Sequence, residues 1–200
     1  MPLLGLIRHA PTTWNEAGMI QGHTDTPLSE DGRAQLATWA PPPELLSHEW
    51  VSSPLQRCVD TARHLAGRAV RTDPLLKEMS WGDWAGEKLP DLRKRFGEKM
   101  TAMEASGWDF RPPNGESPRD VGERFQQFSA KVAERGQPTV AVTHRGVIRA
   151  ALALATGWDF LGKPPFKMVR AAVQVFWVNP DGSLELRAAN VPLVEGADGK

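Results

Sequence analysis

Short apolar runs that stop abruptly at polar residues recur along the chain. Leu3 to Ile7 ends at Arg8 and His9, as expected of a strand buried on both faces of a parallel sheet. Trp50 to Ser52, Ala69 to Thr72 (the weakest) and Thr139 to Val142 repeat that pattern. Between them the spacing turns helical. Ser29 caps a stretch that Pro41, Pro42 and Pro43 end, since proline cannot continue a helix. Ser53 and Pro54 suit the N-cap and first position of a helix carrying Leu55, Val59, Ala62 and Leu65, which puts Arg57 in its first turn. Ser117, Pro118 and Asp120 read as a capping box before Val121, Phe125, Phe128 and Val132. Val147 to Ala155 is a last helix that Gly157 can end.

Toward the C-terminus the period shortens to two. Val173, Val175 and Trp177 alternate up to the turn Asn179, Pro180, Asp181, Gly182, and Leu184, Leu186 and Ala188 continue on a partner strand. Strands alternating with helices and finishing in a hairpin predict an α/β fold: a mostly parallel sheet covered by helices on both faces, with an antiparallel edge. The stretch from Glu78 to Asn114, rich in Trp, Gly, Pro and charge, reads as a cap inserted at about 79–116 within a single domain of residues 1–194. Residues 195–200 read as a loose tail. The exposed strand Ser183 to Asn190 is open to pairing with a second copy, a homodimer.

Charge and composition narrow the function. Lys plus Arg and Asp plus Glu both count 24, so no overall field favours nucleic acid or an anionic membrane, and any anion site must be a local cluster. Cys58 is the single cysteine; it offers neither a disulfide framework nor a metal spacing, which fits a cytoplasmic home. The Leu3 to Ile7 run is too short for a signal peptide or a membrane span.

The chemistry gathers at two strand ends. Arg8 and His9 follow one buried strand, and His144 and Arg145 follow another. In open parallel sheets ligands bind beyond the carboxyl ends of strands, so neighbouring strands would turn both histidines into one crevice. Arg57, at a helix N-terminus, adds a guanidinium where anions are already favoured. Imidazoles and arginine forks together fit a phosphoryl group. Transfer of that group also needs a proton for the leaving oxygen. Glu78 fits that task, because it follows Leu75 and Leu76 and precedes Trp81 and Trp84, whose cover would shield a carboxylic acid; Asp83 and Glu87 are nearby competitors.

These residues resemble the histidine phosphatase superfamily, also called phosphoglycerate mutase-like. Arg8, His9, Ala10, Pro11, Thr12, Asn15, Gln21, Gly22, Asp25, Pro27, Leu28 and Gly32 are similar to its opening signature. Ser52, Ser53, Pro54, Leu55, Arg57 and Thr61 follow in order, then Leu76, Glu78, Gly82, Trp84 and Gly86, then Gly115, Glu116 and Ser117, and last Thr143, His144, Gly146 and Arg149. The resemblance implies a three-layer α/β/α sandwich and a phosphohistidine at His9. It implies that Arg8, Arg57 and His144 complete the phosphate pocket, that Glu78 donates the proton, and that Thr12 and Asn15 lie at its edge. Gln21, Gly22 and Arg145 join the substrate-binding candidates. Ala10 and Arg145 stand where glycine is commoner, Met19 where arginine is frequent and Ala85 where glutamate is frequent.

The expectation is a phosphomonoesterase that needs neither metal nor cofactor and acts on a small phosphorylated metabolite. α-Ribazole phosphate, a phosphoglycerate and a sugar phosphate are the candidates that the resemblance suggests. The rivals are a phosphoglycerate-type mutase, which returns the phosphoryl group to a hydroxyl, and a non-catalytic module that binds phosphate or phosphoprotein. Acid–base cleavage of RNA is disfavoured by the absence of a basic stripe, and a two-metal phosphatase by the spacing of the carboxylates.

Overall fold

Polar residues stop the strands, and in the computed structural model, which describes residues 1–195, most of these stops lie at one end of a sheet. β1 (Leu3–Arg8) leads through the single turn α1 (Thr13–Glu16) to α2 (Glu30–Ala37) and β2 (Trp39–Ala40). β3 (Glu49–Ser52), α3 (Gln56–Ala66) and β4 (Arg71–Thr72) follow, then α4 (Leu89–Phe96), α5 (Glu98–Glu104) and α6 (Pro118–Arg135). β5 (Thr139–Thr143), α7 (Arg145–Thr156), β6 (Ala172–Val178), β7 (Leu184–Pro192) and β8 (Val194–Glu195) complete the order.

The main sheet has six strands in the order β4-β3-β5-β1-β6-β7. β4, β3, β5 and β1 run parallel, β6 runs against β1, and β7 runs against β6. The period of two sorts the core between the two faces. Leu4, Leu6, Val51 and Ala141 pack with Phe125, Phe128 and Val132 of α6 and with Val147, Ile148 and Ala151 of α7. Ile7, Trp50, Val140 and Val142 point the other way, onto Leu36 of α2 and Cys58, Ala62 and Leu65 of α3. The fold is therefore a three-layer α/β/α sandwich with an antiparallel edge hairpin. Outside it, Trp84, Leu92 and Met100 form a small separate core, with Ile20, Phe96 and Phe110 packed against it.

Two local expectations change. Ser53 does not cap α3, which begins at Gln56 with Leu55 at the N-cap and no capping side chain. Asp25 supplies the missing oxygen, accepting the Gln56 N–H at 2.8 Å, while the Ser53 hydroxyl lies 2.8 Å from Nε2 of His144. Glu195, the first residue of the expected loose tail, is paired with Trp39 in a two-stranded sheet; residues 196–200 lie outside the described residues. The capping box at Ser117 and Asp120 forms as expected. Among the described residues no helix is long and apolar enough to cross a membrane.

Candidate active site

β1 and β5 are direct neighbours in parallel register, with Arg8 opposite Thr143, so the next residue on each strand is a histidine leaving the same edge of the sheet. The His9 N–H donates to the Thr143 carbonyl at 3.0 Å, and the two imidazole centroids lie 5.3 Å apart. Both rings are buried. Nδ1 of His9 is 2.7 Å from the Ala10 carbonyl. A carbonyl only accepts, so Nδ1 carries the proton and the Nε2 lone pair is left as a nucleophile.

Arginines surround this pair. Arg57 is fully buried; its Nη1 donates to the Thr24 carbonyl and its Nη2 to the Gly22 carbonyl, each at 2.8 Å. Gly22 turns its carbonyl inward from φ +51°, where a side chain would be strained. The Nε atoms of Arg8 and Arg57 are buried without an acceptor. Buried donors are nearly always satisfied in native proteins, so two unfilled ones beside a nucleophile are suited to an anion. Arg170 reaches in from the start of β6, donating from Nη1 to the His9 carbonyl at 3.2 Å and to Oδ1 of Asn15 at 3.4 Å.

This field acts on the histidines. Burial, then Arg8 and Arg57, push His9 well below the ordinary histidine range; burial, then His9 and Arg57, do the same to His144. Both rings are therefore expected to stay neutral at pH 5.5 in the ligand-free protein, where a free imidazole, with a pKa of about 6.5, is mostly charged. Ring ¹⁵N shifts check this, and charged rings at that pH would overturn it. Stability carries the same imprint. Below about pH 6.5 the unfolded chain takes up protons that the folded one refuses, so stability falls as the solution is acidified.

Glu78 lines the same cavity as His9 and is half-buried. Trp84 belongs to the small separate core, while the Glu78 carboxylate accepts the Met79 N–H at 2.8 Å and the Gly146 N–H at 3.1 Å. It thus meets the N-terminal turn of α7, one residue from His144's own neighbour. A Cβ on Gly146 would collide with Oε1 of Glu78. Gly146→Ala is accordingly expected to lower kcat by about 10²-fold through displacement of the carboxylate. Melting should not drop in step, since alanine favours the helix by about 1 kcal/mol. Steady-state kinetics alongside thermal denaturation check both, and unchanged kcat would show that the position of this carboxylate is not critical.

The competing acids are engaged elsewhere. Asp83 is exposed and accepts from Asn114 at 3.0 Å, and Glu87 pairs with Arg95 at 2.9 Å. His23 lies 2.7 Å from the Glu78 carbonyl through Nε2. Arg124 donates to the same carbonyl and pairs with Glu116, so two side chains hold the backbone of Glu78. Arg93 pairs with Glu104 at 2.7 Å.

The site opens into a cavity of about 720 Å³. Asn15, Gln21, Gly22 and Arg145 reach its wall together with Arg8, His9, Arg57 and Glu78. Thr12 stands behind: its hydroxyl donates to Oε1 of Gln21 at 3.0 Å and accepts the Asn15 N–H. His144 sits behind His9, between Ser53 and Cys58. Burial pushes the Cys58 thiol above its usual range. Arg149 and Arg170 also line the cavity; sequence reasoning gave neither a role in the site.

Comparison with known proteins shows the family and the fold. The model of the histidine phosphatase superfamily (branch 1) matches residues 4–191. A glucosyl-3-phosphoglycerate phosphatase of Mycobacterium tuberculosis is 34% identical over 183 residues, covering 80% of this chain and 79% of its own. A 2,3-bisphosphoglycerate-dependent phosphoglycerate mutase of Bartonella bacilliformis is 29% identical over 168 residues, covering 77% and 81%. Among solved structures, a mycobacterial glucosyl-3-phosphoglycerate phosphatase superposes with TM-score 0.77 at 27% identity, over 96% of this chain and 100% of that one. The α-ribazole phosphatase of Shigella flexneri gives 0.77 at 27% identity, over 98% and 100%.

Proposed function

The chain belongs to branch 1 of the histidine phosphatase superfamily, and on that premise we propose that it hydrolyses a small phosphomonoester through a phosphohistidine at His9. Nε2 of His9 attacks phosphorus, the bond to the ester oxygen breaks, and Glu78 supplies the proton to the departing alkoxide. Water then attacks the phosphohistidine in line, Glu78 takes its proton, and inorganic phosphate leaves. Arg8 and Arg57 stabilise the charge on the equatorial oxygens during both transfers, and His144 joins them by turning Nε2 from Ser53 to the phosphoryl group. The observation that carries this reading is the pair of buried imidazoles 5.3 Å apart beside two unfilled guanidinium Nε donors.

A turnover screen over small phosphomonoesters, run with and without EDTA and assayed for free phosphate, tests it. Phosphate release that EDTA leaves unchanged is the expected result, because guanidiniums supply the positive charge. Restoration of an EDTA-treated enzyme by a divalent ion would overturn the metal-independent mechanism. Transfer to a second hydroxyl in place of phosphate release would favour the mutase chemistry of the Bartonella relative.

A further inference from the structure

Beyond His9 the wall of arginines continues farther than one phosphoryl group requires. A second chamber of about 650 Å³ adjoins the first along α7, and Arg8, Arg145, Arg149 and Arg170 line both. Lys163 and Lys167 add two exposed cations to the second chamber. Among the described residues none of these six has a carboxylate within 4 Å. In a chain with equal numbers of acids and bases, that concentration of unpaired charge is a local construction.

Arg149 is also fixed in place. Its guanidinium carbon lies 4.9 Å from the Trp158 ring and 5.2 Å from the Phe160 ring, and the two rings stack at 4.6 Å. Phe160 takes φ +69°, a conformation unfavourable for a residue with a side chain, and the edge of Trp108 packs on it at 4.7 Å. Nε of Arg149 is buried without an acceptor. The cations repel one another: burial and Arg145 lower Arg149 to about 10, and burial and Arg170 lower Arg8 to about 9. A rigid, mutually repelling set with open donors is what a bound anion relieves.

We infer that the second chamber is an anion subsite, and that the ester cleaved at His9 carries a second anionic group, phosphate or carboxylate, bound by Arg145 and Arg149 with Lys163 and Lys167 at the rim. The inference rests on the phosphomonoesterase reading of His9. It distinguishes substrates with an anionic tail from those whose leaving alcohol is neutral.

Calorimetric binding of uncleavable phosphonates to the full chain tests it, because the result does not depend on turnover. The probes are alkylphosphonates, α,ω-alkane diphosphonates and ω-phosphonocarboxylates of two to five carbons, at about 0.15 M salt to screen long-range attraction. In the wild type the best two-headed probe is expected to bind at least about tenfold tighter than the alkylphosphonate of equal length. The stronger of the two series names the second group. That ratio should fall about tenfold in Arg149→Gln. It should also fall in the double variant Lys163→Gln/Lys167→Gln, whose exposed side chains are not needed for folding. Equal affinity of one-headed and two-headed probes at every length would overturn the subsite, as would a ratio that the double variant and Arg149→Gln both leave intact. A protein that cleaves no ester would instead remove the reading at His9 and leave the binding result to stand.

Discussion

His9→Ala is expected to abolish turnover, with kcat falling by several orders of magnitude, and to leave no covalent phosphate on the protein after quenching. The size comes from the route: without Nε2 the two transfers collapse into direct attack by water, and the covalent path is lost. Arg8 and Arg57 would still hold the ester, so its affinity should change far less than the rate. The quench must be alkaline and denaturing, since a phosphoramidate bond survives base but not acid. In the wild type the label should map to the peptide carrying Arg8 and His9. The variant should melt within a few degrees of the wild type at neutral pH, because a cavity wall rather than the packed core is shortened. A label on another residue, or wild-type turnover by His9→Ala, would sink the nucleophile assignment.

Glu78→Gln carries the second large effect, and its signature is selectivity between esters. An alkoxide is a poor leaving group that needs a proton as the bond to phosphorus breaks, whereas nitrophenolate leaves readily without one. Glutamine retains the shape of the side chain but cannot donate that proton. General-acid catalysis commonly contributes about 10² to 10⁴-fold, so the phosphorylation step with an alkyl ester should slow by that order and with nitrophenyl phosphate far less. Asp83→Asn should be nearly silent, because that carboxylate is exposed and held by Asn114. Equal losses on both esters would mean that Glu78 orders the pocket rather than protonating the leaving group. Ester-dependent loss in Asp83→Asn would move the acid there.

Much of this site was legible because its parts stand immediately after periodic segments. The buried runs at Leu3 to Ile7 and Thr139 to Val142 announce strands, and a histidine just past each is placed by the strand itself. Pairing between these strands was a conditional expectation, and their register satisfies it. The start of α3 was harder to read. Ser53 looks like a cap, but its hydroxyl lies against His144, and the cap oxygen comes from Asp25, more than thirty residues distant in the chain. No local pattern records such an exchange.

Arg170 escaped for a topological reason. Parallel strands bring functional residues to a site at their carboxyl ends, so attention falls on the residues just past each run. β6 runs the opposite way, and it therefore brings to the same edge Arg170, two residues ahead of its first residue. The alternation at Val173, Val175 and Trp177 already suggested an antiparallel hairpin, and the residues just ahead of it were the place to look. Arg149 was read as a match to the family signature but without a role: it lies one helical turn past Arg145 on α7, and only the fold shows that Trp158 and Phe160 close over it.

The reversed strand also bears on how the chain is made. β1, made before either of its neighbours, lies between β5 and β6 in the finished sheet. Its hydrogen-bonding edges stay empty until Thr139–Val142 and Val173–Trp177 have been synthesised. The residues between β1 and these partners must therefore be extruded while Leu3–Ile7 is apolar and unpaired, and such contacts between distant parts of a chain form slowly. Release of Leu3–Ile7 from aggregation-prone exposure comes only once β6 has been made. A nascent chain stalled before Ala172 is expected to be protease-sensitive at β1, and one in which β7 has cleared the exit tunnel to be protected there.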